Sequence, residues 1–214
     1  EAAERLVKSG ALSENQLLGI YTARLPAASG GVWDRVAGLQ RFDQALTNGS
    51  PSAIKAALSD IWPQMQAAGL AVSFARMFGR ALMAQPFSQT TDRLSFDVPM
   101  LGPTYRAAAQ ARPLRNREDR FLTALARGKL ANETAFNPKS EAILRGFEST
   151  SVPPALQALL DQGRLGEVIL RAMEAYNTGA EGDLQQLSAA FATFQAVALH
   201  STARSAGLQF LLLR

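Results

Sequence analysis

Apolar residues recur every three or four positions along almost the whole chain, and Gly, Pro and small polar residues interrupt them at short intervals. That spacing gathers apolar side chains on one face of a helix, and the interruptions are residues that stop and start helices. A chain of 214 residues built this way is expected to be all-α. Short connections favour antiparallel neighbours. The expectation is therefore a single domain over 1–214, an irregular array of about nine to eleven short helices in antiparallel hairpins, solenoid-like or wound into a compact superhelix.

The punctuation places the elements. A first helix covers about 1–9 and stops at Gly10, and Ser13 with Gln16 forms a capping box for a second that ends before Pro26. Val32, Val36, Leu39, Phe42 and Leu46 mark one face of a helix over 31–47, broken by Asn48-Gly49. Ser50-Pro51 opens the next, lined by Ile54, Leu58, Ile61 and Met65, kinked at Pro63 and closed by Gly69. Over 70–85, Leu70, Val72, Phe74, Met77, Phe78, Leu82 and Met83 point all round the axis, which predicts a central buried helix.

Residues 86–99 lose the helical period. Leu94, Phe96 and Val98 alternate with polar neighbours as a short strand would, so this is the expected non-helical segment. Phe87 and Phe96 are its candidate surface residues, because long ordered loops often carry function. Helices resume over 103–111, after Asn116 as far as Gly128, and after Asn137-Pro138. Further segments end at Gly163 and near Gly179, the last carrying Leu165, Ile169, Ala172, Met173 and Tyr176. Asp183 caps another helix, and a final one runs from about Ser201. The pattern Gly-x-Leu recurs at Gly10, Gly128 and Gly163. It reads as a shared left-handed helix stop, since no fixed period accompanies it.

Composition narrows the chemistry. With no Cys and only His200, thiolate nucleophiles, thiolate zinc sites and any site needing two histidines are excluded. There is no phosphate-binding Gly loop, dinucleotide fingerprint, nucleophile elbow or calcium loop, so neither a cofactor nor a metal is expected. His200 lies beside Ser201 and reads as a helix-end hydrogen-bonding group. No run of 18 apolar residues exists, hence no transmembrane segment is expected. The chain opens without Met and already in helical rhythm, as a piece of a longer protein would.

The net charge is +4. The densest basic stretch runs from Arg106 to Lys129, with Arg106, Arg112, Arg115, Arg117, Arg120, Arg127 and Lys129 against Glu118 and Asp119. Arg106, Arg112, Arg115, Arg117 and Arg120 are candidate partner- or anion-binding residues, because guanidinium groups bind phosphate and carboxylate in pairs. Tyr105 and Phe121 alone supply aromatic interleaving, which argues against single-stranded nucleic acid as the favoured partner.

Ala175-Tyr-Asn-Thr-Gly179 resembles the Ala-Tyr-Asn-Ala-Gly signature of lytic transglycosylases, and Glu148-Ser149 resembles their catalytic pair. That resemblance implies an all-helical glycan-processing enzyme with Glu148 as general acid and base. The chain departs from it: the two motifs lie too close together, and the Gly-Leu-Met-Gln block between them is missing. Ala28-Ser-Gly-Gly-Val-Trp-Asp-Arg-Val-Ala-Gly-Leu-Gln40 and Gly163-Arg-Leu-Gly-Glu-Val-Ile-Leu-Arg-Ala172 resemble a group of uncharacterised Ala- and Arg-rich exported helical proteins of bacteria. Some of these are labelled antifreeze glycopeptide related. That resemblance implies a periplasmic or exported protein, the alternative being cytoplasmic. By subtraction, the leading expectation is a non-enzymatic interaction scaffold with a protein or peptide partner. The alternatives are the Glu148 glycan enzyme and an anion- or nucleic-acid-binding module using the basic stretch.

Overall fold

A computed structural model of the chain describes residues 1–23, 30–85, 93–149 and 151–213. Every regular element among them is helical, so the chain is all-α. Thirteen helices are present among the described residues, more than the nine to eleven expected. The chain divides into two compact units, Glu1–Arg112 and Pro113–Leu212.

The first unit contains α1 (Ala2–Lys8), α2 (Glu14–Ala23), α3 (Val32–Asn48), α4 (Pro51–Ala67), α5 (Ala71–Met83), α6 (Leu94–Met100) and α7 (Tyr105–Ala111). The start signals work as the sequence implies. The Gln16 amide donates to Ser13 Oγ at 3.3 Å while the Ser13 amide donates to Gln16 Oε1 at 3.0 Å. Ser50 Oγ accepts from the Ala53 amide, with Pro51 in the first turn. Ile54, Leu58, Ile61 and Met65 are fully buried, and α4 continues through Pro63 to its stop at Gly69. The core is an aromatic cluster: Phe74 lies 5.2 Å from Phe42, 5.0 Å from Phe78 and 6.0 Å from Trp62, centroid to centroid. Rings at such separations add tilted and edge contacts to the burial of large apolar area.

Helix α5 supplies Phe74 and Phe78, but it is not buried all round as expected. Ala71, Phe74, Ala75, Phe78, Gly79 and Leu82 face the core, whereas Arg76 and Arg80 are exposed. The expected strand is also corrected: Leu94, Phe96 and Val98 lie in α6, and Phe96 is half-buried there. Alternation misleads at this point because Ser95 and Asp97, the polar partners of the apolar residues, are themselves buried. Asp97 is buried as an ion-paired carboxylate, which a hydropathy pattern cannot anticipate. Phe87 and the rest of 86–92 lie outside the described residues.

The second unit contains α8 (Arg117–Arg127), α9 (Pro138–Glu148), α10 (Pro154–Asp161), α11 (Leu165–Ala180), α12 (Leu184–Ala196) and α13 (His200–Leu212). Asn116 caps α8, Asn137 and Ser140 form a capping box on α9, and Asp183 accepts from two amides of α12. Helix α12 packs on both α9 and α11 through glycines. A Cβ added to Gly179 would meet Leu187 Cβ at 2.6 Å, and one added to Gly146 would meet Phe191 Cβ at 2.6 Å. Backbone-to-backbone approach of this kind turns the small residues of α11 inward. Val168, Ala172 and Gly179 are buried, while Leu165, Leu170 and Met173 are 48%, 67% and 51% exposed.

Gly10, Gly128 and Gly163 share one helix stop. In each, φ lies between +69° and +75°, the glycine amide donates to the carbonyl three residues back, and the next amide donates five residues back. This double bond pattern satisfies the last carbonyls of a helix and needs a left-handed residue.

Candidate interaction surface

A concavity of about 710 Å³ lies in the second unit, along one face each of α9 and α12. Pro138, Glu141, Ala142, Arg145 and Ser149 come from α9 and its end, while Leu184, Gln185, Ser188, Ala189 and Ala192 come from α12. Both sets recur at three- and four-residue intervals, so each is one helical face. Val152, Pro153 and Pro154 line the remaining side. The walls mix small apolar residues with polar ones: Ser149, Ser151, Gln185 and Ser188 line it together with the Glu141–Arg145 ion pair, both of whose partners are well exposed. Sequence reasoning did not single out this groove. Its signal was the pair of Ala- and Ser-containing helical faces, which carry no chemistry of their own.

The transglycosylase-like residues are placed differently. Glu148 is exposed at the end of α9. Tyr176 is half-buried against Phe191 and Phe210, and its hydroxyl donates to the Ala206 carbonyl at 3.2 Å. Burial pushes the Tyr176 phenol up. Asn177 is exposed, and Gly179 meets Leu187. The motif residues thus serve helix packing, and Glu148 does not line the groove.

The candidate arginines are divided between the two units. Arg106 is exposed in the first unit, its guanidinium 5.8 Å from the Tyr105 ring. Arg112 is only 6% exposed; its Nη1 donates to Asp97 Oδ1 and lies 3.5 Å from Met100 Sδ. Arg93 donates to the other Asp97 oxygen at 2.8 Å. The Arg112 guanidinium is therefore committed to a buried carboxylate inside its own unit. Arg115, Arg117 and Arg120 are exposed in the second unit. His200 Nδ1 lies 2.6 Å from Gln195 Oε1, a helix-end contact. Among the described residues, no three acidic or histidine side chains gather as metal ligands would. No helix there is long and apolar enough to cross a membrane.

One buried charged cluster went unread in the sequence. Glu4 of α1 is 5% exposed, and its Oε1 accepts from Arg35 Nε at 2.9 Å and from the Tyr21 hydroxyl, while its Oε2 accepts from Arg35 Nη2 at 2.7 Å. Burial opposes the Glu4 charge, yet the hydrogen bonds from Arg35 and Tyr21 outweigh it and hold the carboxyl below its usual range. Burial and the adjacent carboxylate push the Tyr21 phenol far up. Gln40 Nε2 donates to the Tyr21 carbonyl at 2.7 Å, tying α2 to α3. Cavities of about 270 and 500 Å³ flank Arg35.

No protein-family model, curated protein or solved structure matches this chain.

Proposed function

We propose that the chain is a non-enzymatic helical interaction domain that holds a peptide segment of a partner protein in the α9–α12 groove. The observation that carries this reading is the groove itself. Its volume of about 710 Å³ falls in the range that binds compact ligands, and its lining mixes small apolar residues with Ser, Gln, Glu and Arg side chains that can hydrogen-bond. Ala142, Ala189 and Ala192 leave room for another backbone to approach closely, and Gln185, Ser188 and the Glu141–Arg145 rim offer hydrogen bonds that fix register. An array of antiparallel hairpins is the finer architecture proposed, since such arrays present extended faces. The exported setting implied by the resemblance is the compartment proposed.

The test is selection of a displayed random-peptide library on the intact chain, followed by titration of the enriched peptides against wild type and Ala189→Trp. Ala189 is half-buried in the groove wall, so Trp fills the cleft. The expected result is binding that weakens at least tenfold in Ala189→Trp while the melting curve is unchanged. Failure to enrich any peptide, or equal binding to both proteins, overturns the reading.

A further inference from the structure

The Glu4 cluster has the form of a receptor and its ligand on separate elements. The receptor side is well anchored: Arg35 and Tyr21 sit on α3 and α2, which are held in the core by Leu17, Val36, Leu39 and Phe42. The ligand side is not. Helix α1 has seven residues, well short of the roughly 12–15 at which an isolated helix begins to hold itself together. Of those seven only Glu4 and Val7 are buried, and Leu6 remains 46% exposed. One carboxylate, gripped through both oxygens, and one aliphatic side chain three residues later hold α1 in place.

Bidentate binding of a carboxylate by a guanidinium is among the strongest and most geometrically specific polar contacts. The Tyr21 hydroxyl adds a third donor, and the cavities on either side of Arg35 leave space beside the bound group. Ala67 of α4 and Ala68 just after it line the smaller cavity with small side chains. The buried groups that α1 offers this receptor are an acid and an aliphatic residue at three-residue spacing on a short helix.

We propose that Arg35 and Tyr21 form an exchangeable carboxylate receptor on the first unit, filled in this structure by the chain's own Glu4 and matched to a Glu-x-x-aliphatic helical segment of a partner protein. This rests on residues other than those of the α9–α12 groove, so either reading can fail alone. Because α1 is tethered, it competes at an effective concentration in the millimolar range. A partner segment in trans must displace it, and removing the Glu4 carboxylate should unmask the site.

The probe is a synthetic peptide with the sequence of residues 1–12, paired with a control peptide carrying Gln in place of Glu4. It is titrated against the full chain as wild type, Glu4→Ala, and Glu4→Ala combined with Tyr21→Phe. The expected result is that Glu4→Ala binds the probe at least tenfold more tightly than wild type does. The control peptide should lose that binding, and Tyr21→Phe should weaken it. A folded Glu4→Ala chain that ignores the probe, or binds both peptides alike, overturns the proposal. If Glu4→Ala does not fold, hydrogen exchange of wild-type α1 amides decides: acceleration by millimolar probe and not by the control supports exchange, and unchanged protection overturns it.

Discussion

Gly146 of α9 faces Phe191 of α12 so closely that a Cβ on the glycine would stand 2.6 Å from Phe191 Cβ and 2.6 Å from the Ser188 carbonyl oxygen. One obstacle is backbone, which cannot rotate away. Gly146→Ala is therefore expected to destabilise the second unit by about 2–3 kcal/mol, the upper part of the usual range for overpacking. Gly19 in α2 has nothing within 4 Å of the same position, so Gly19→Ala should instead stabilise by about 0.5–1 kcal/mol through helix propensity. Denaturant unfolding of the two variants checks both signs, and equal effects would refute the close-approach argument.

Local signals were legible in the sequence where they act over a few residues. The Ser13–Gln16 box, the Ser50-Pro51 start, the Asn116 and Asn137 caps and the left-handed stops at Gly10, Gly128 and Gly163 stand where the residue types require. What escaped depends on which helix becomes a neighbour. The apolar stripe on α11 reads as Leu165, Ile169, Ala172, Met173 and Tyr176; Ala172 is buried as that implies, but Gly179 lets α12 approach so closely that Val168, Ala172 and Gly179 face the core while Leu165 and Met173 stay about half exposed. The Glu4–Arg35 pair joins residues 31 apart, and no local period marks them. The groove was invisible for the same reason, since it exists only because the α9 and α12 faces lie side by side.

Asp97 and Arg112 separate structural from surface arginine within the basic stretch. Arg112→Ala strips the buried Asp97 carboxylate of a partner, leaving the half-exposed Arg93 as its ion-pair partner among the described residues, and should cost about 3 kcal/mol or more. Arg117→Ala and Arg120→Ala remove exposed side chains and should stay within about 0.5 kcal/mol of wild type. Chemical denaturation of the three single variants reads this directly. A cost at Arg112 no larger than at the other two would mean that the pair is dispensable.

Glu4 gives a pH signature. Its folded-state pKa lies below the unfolded value, so the ion pair stabilises fully above roughly pH 4.5 and loses its contribution as pH falls through the folded value. Glu4→Gln removes the charge at every pH. At pH 7 wild type should exceed the variant by about 2 kcal/mol, the scale of a charge-assisted buried hydrogen-bond set. The gap should narrow below pH 4. Unfolding curves of both proteins from pH 7 to pH 3 test this, and a gap independent of pH would assign the difference to shape and not to charge.

Ala198 sits where the other helix stops of this kind place glycine. Its φ is +62°, its amide donates to the Gln195 carbonyl at 3.1 Å, and the Leu199 amide donates to the Phe194 carbonyl at 2.8 Å, the same double pattern seen at Gly10, Gly69, Gly128 and Gly163. An L-residue with a Cβ is penalised by roughly 1–2 kcal/mol in the left-handed region, and glycine is not. Part of that gain is lost again, because glycine also has more conformational freedom in the unfolded chain. Ala198→Gly should thus stabilise the second unit by about 0.5–1 kcal/mol, with the α12–α13 connection unchanged. Denaturant midpoints measure the gain, and slower amide exchange at position 198 and at Leu199 would localise it to the cap. Destabilisation by Ala198→Gly would mean that the alanine methyl makes a packing contact worth more than the strain it causes.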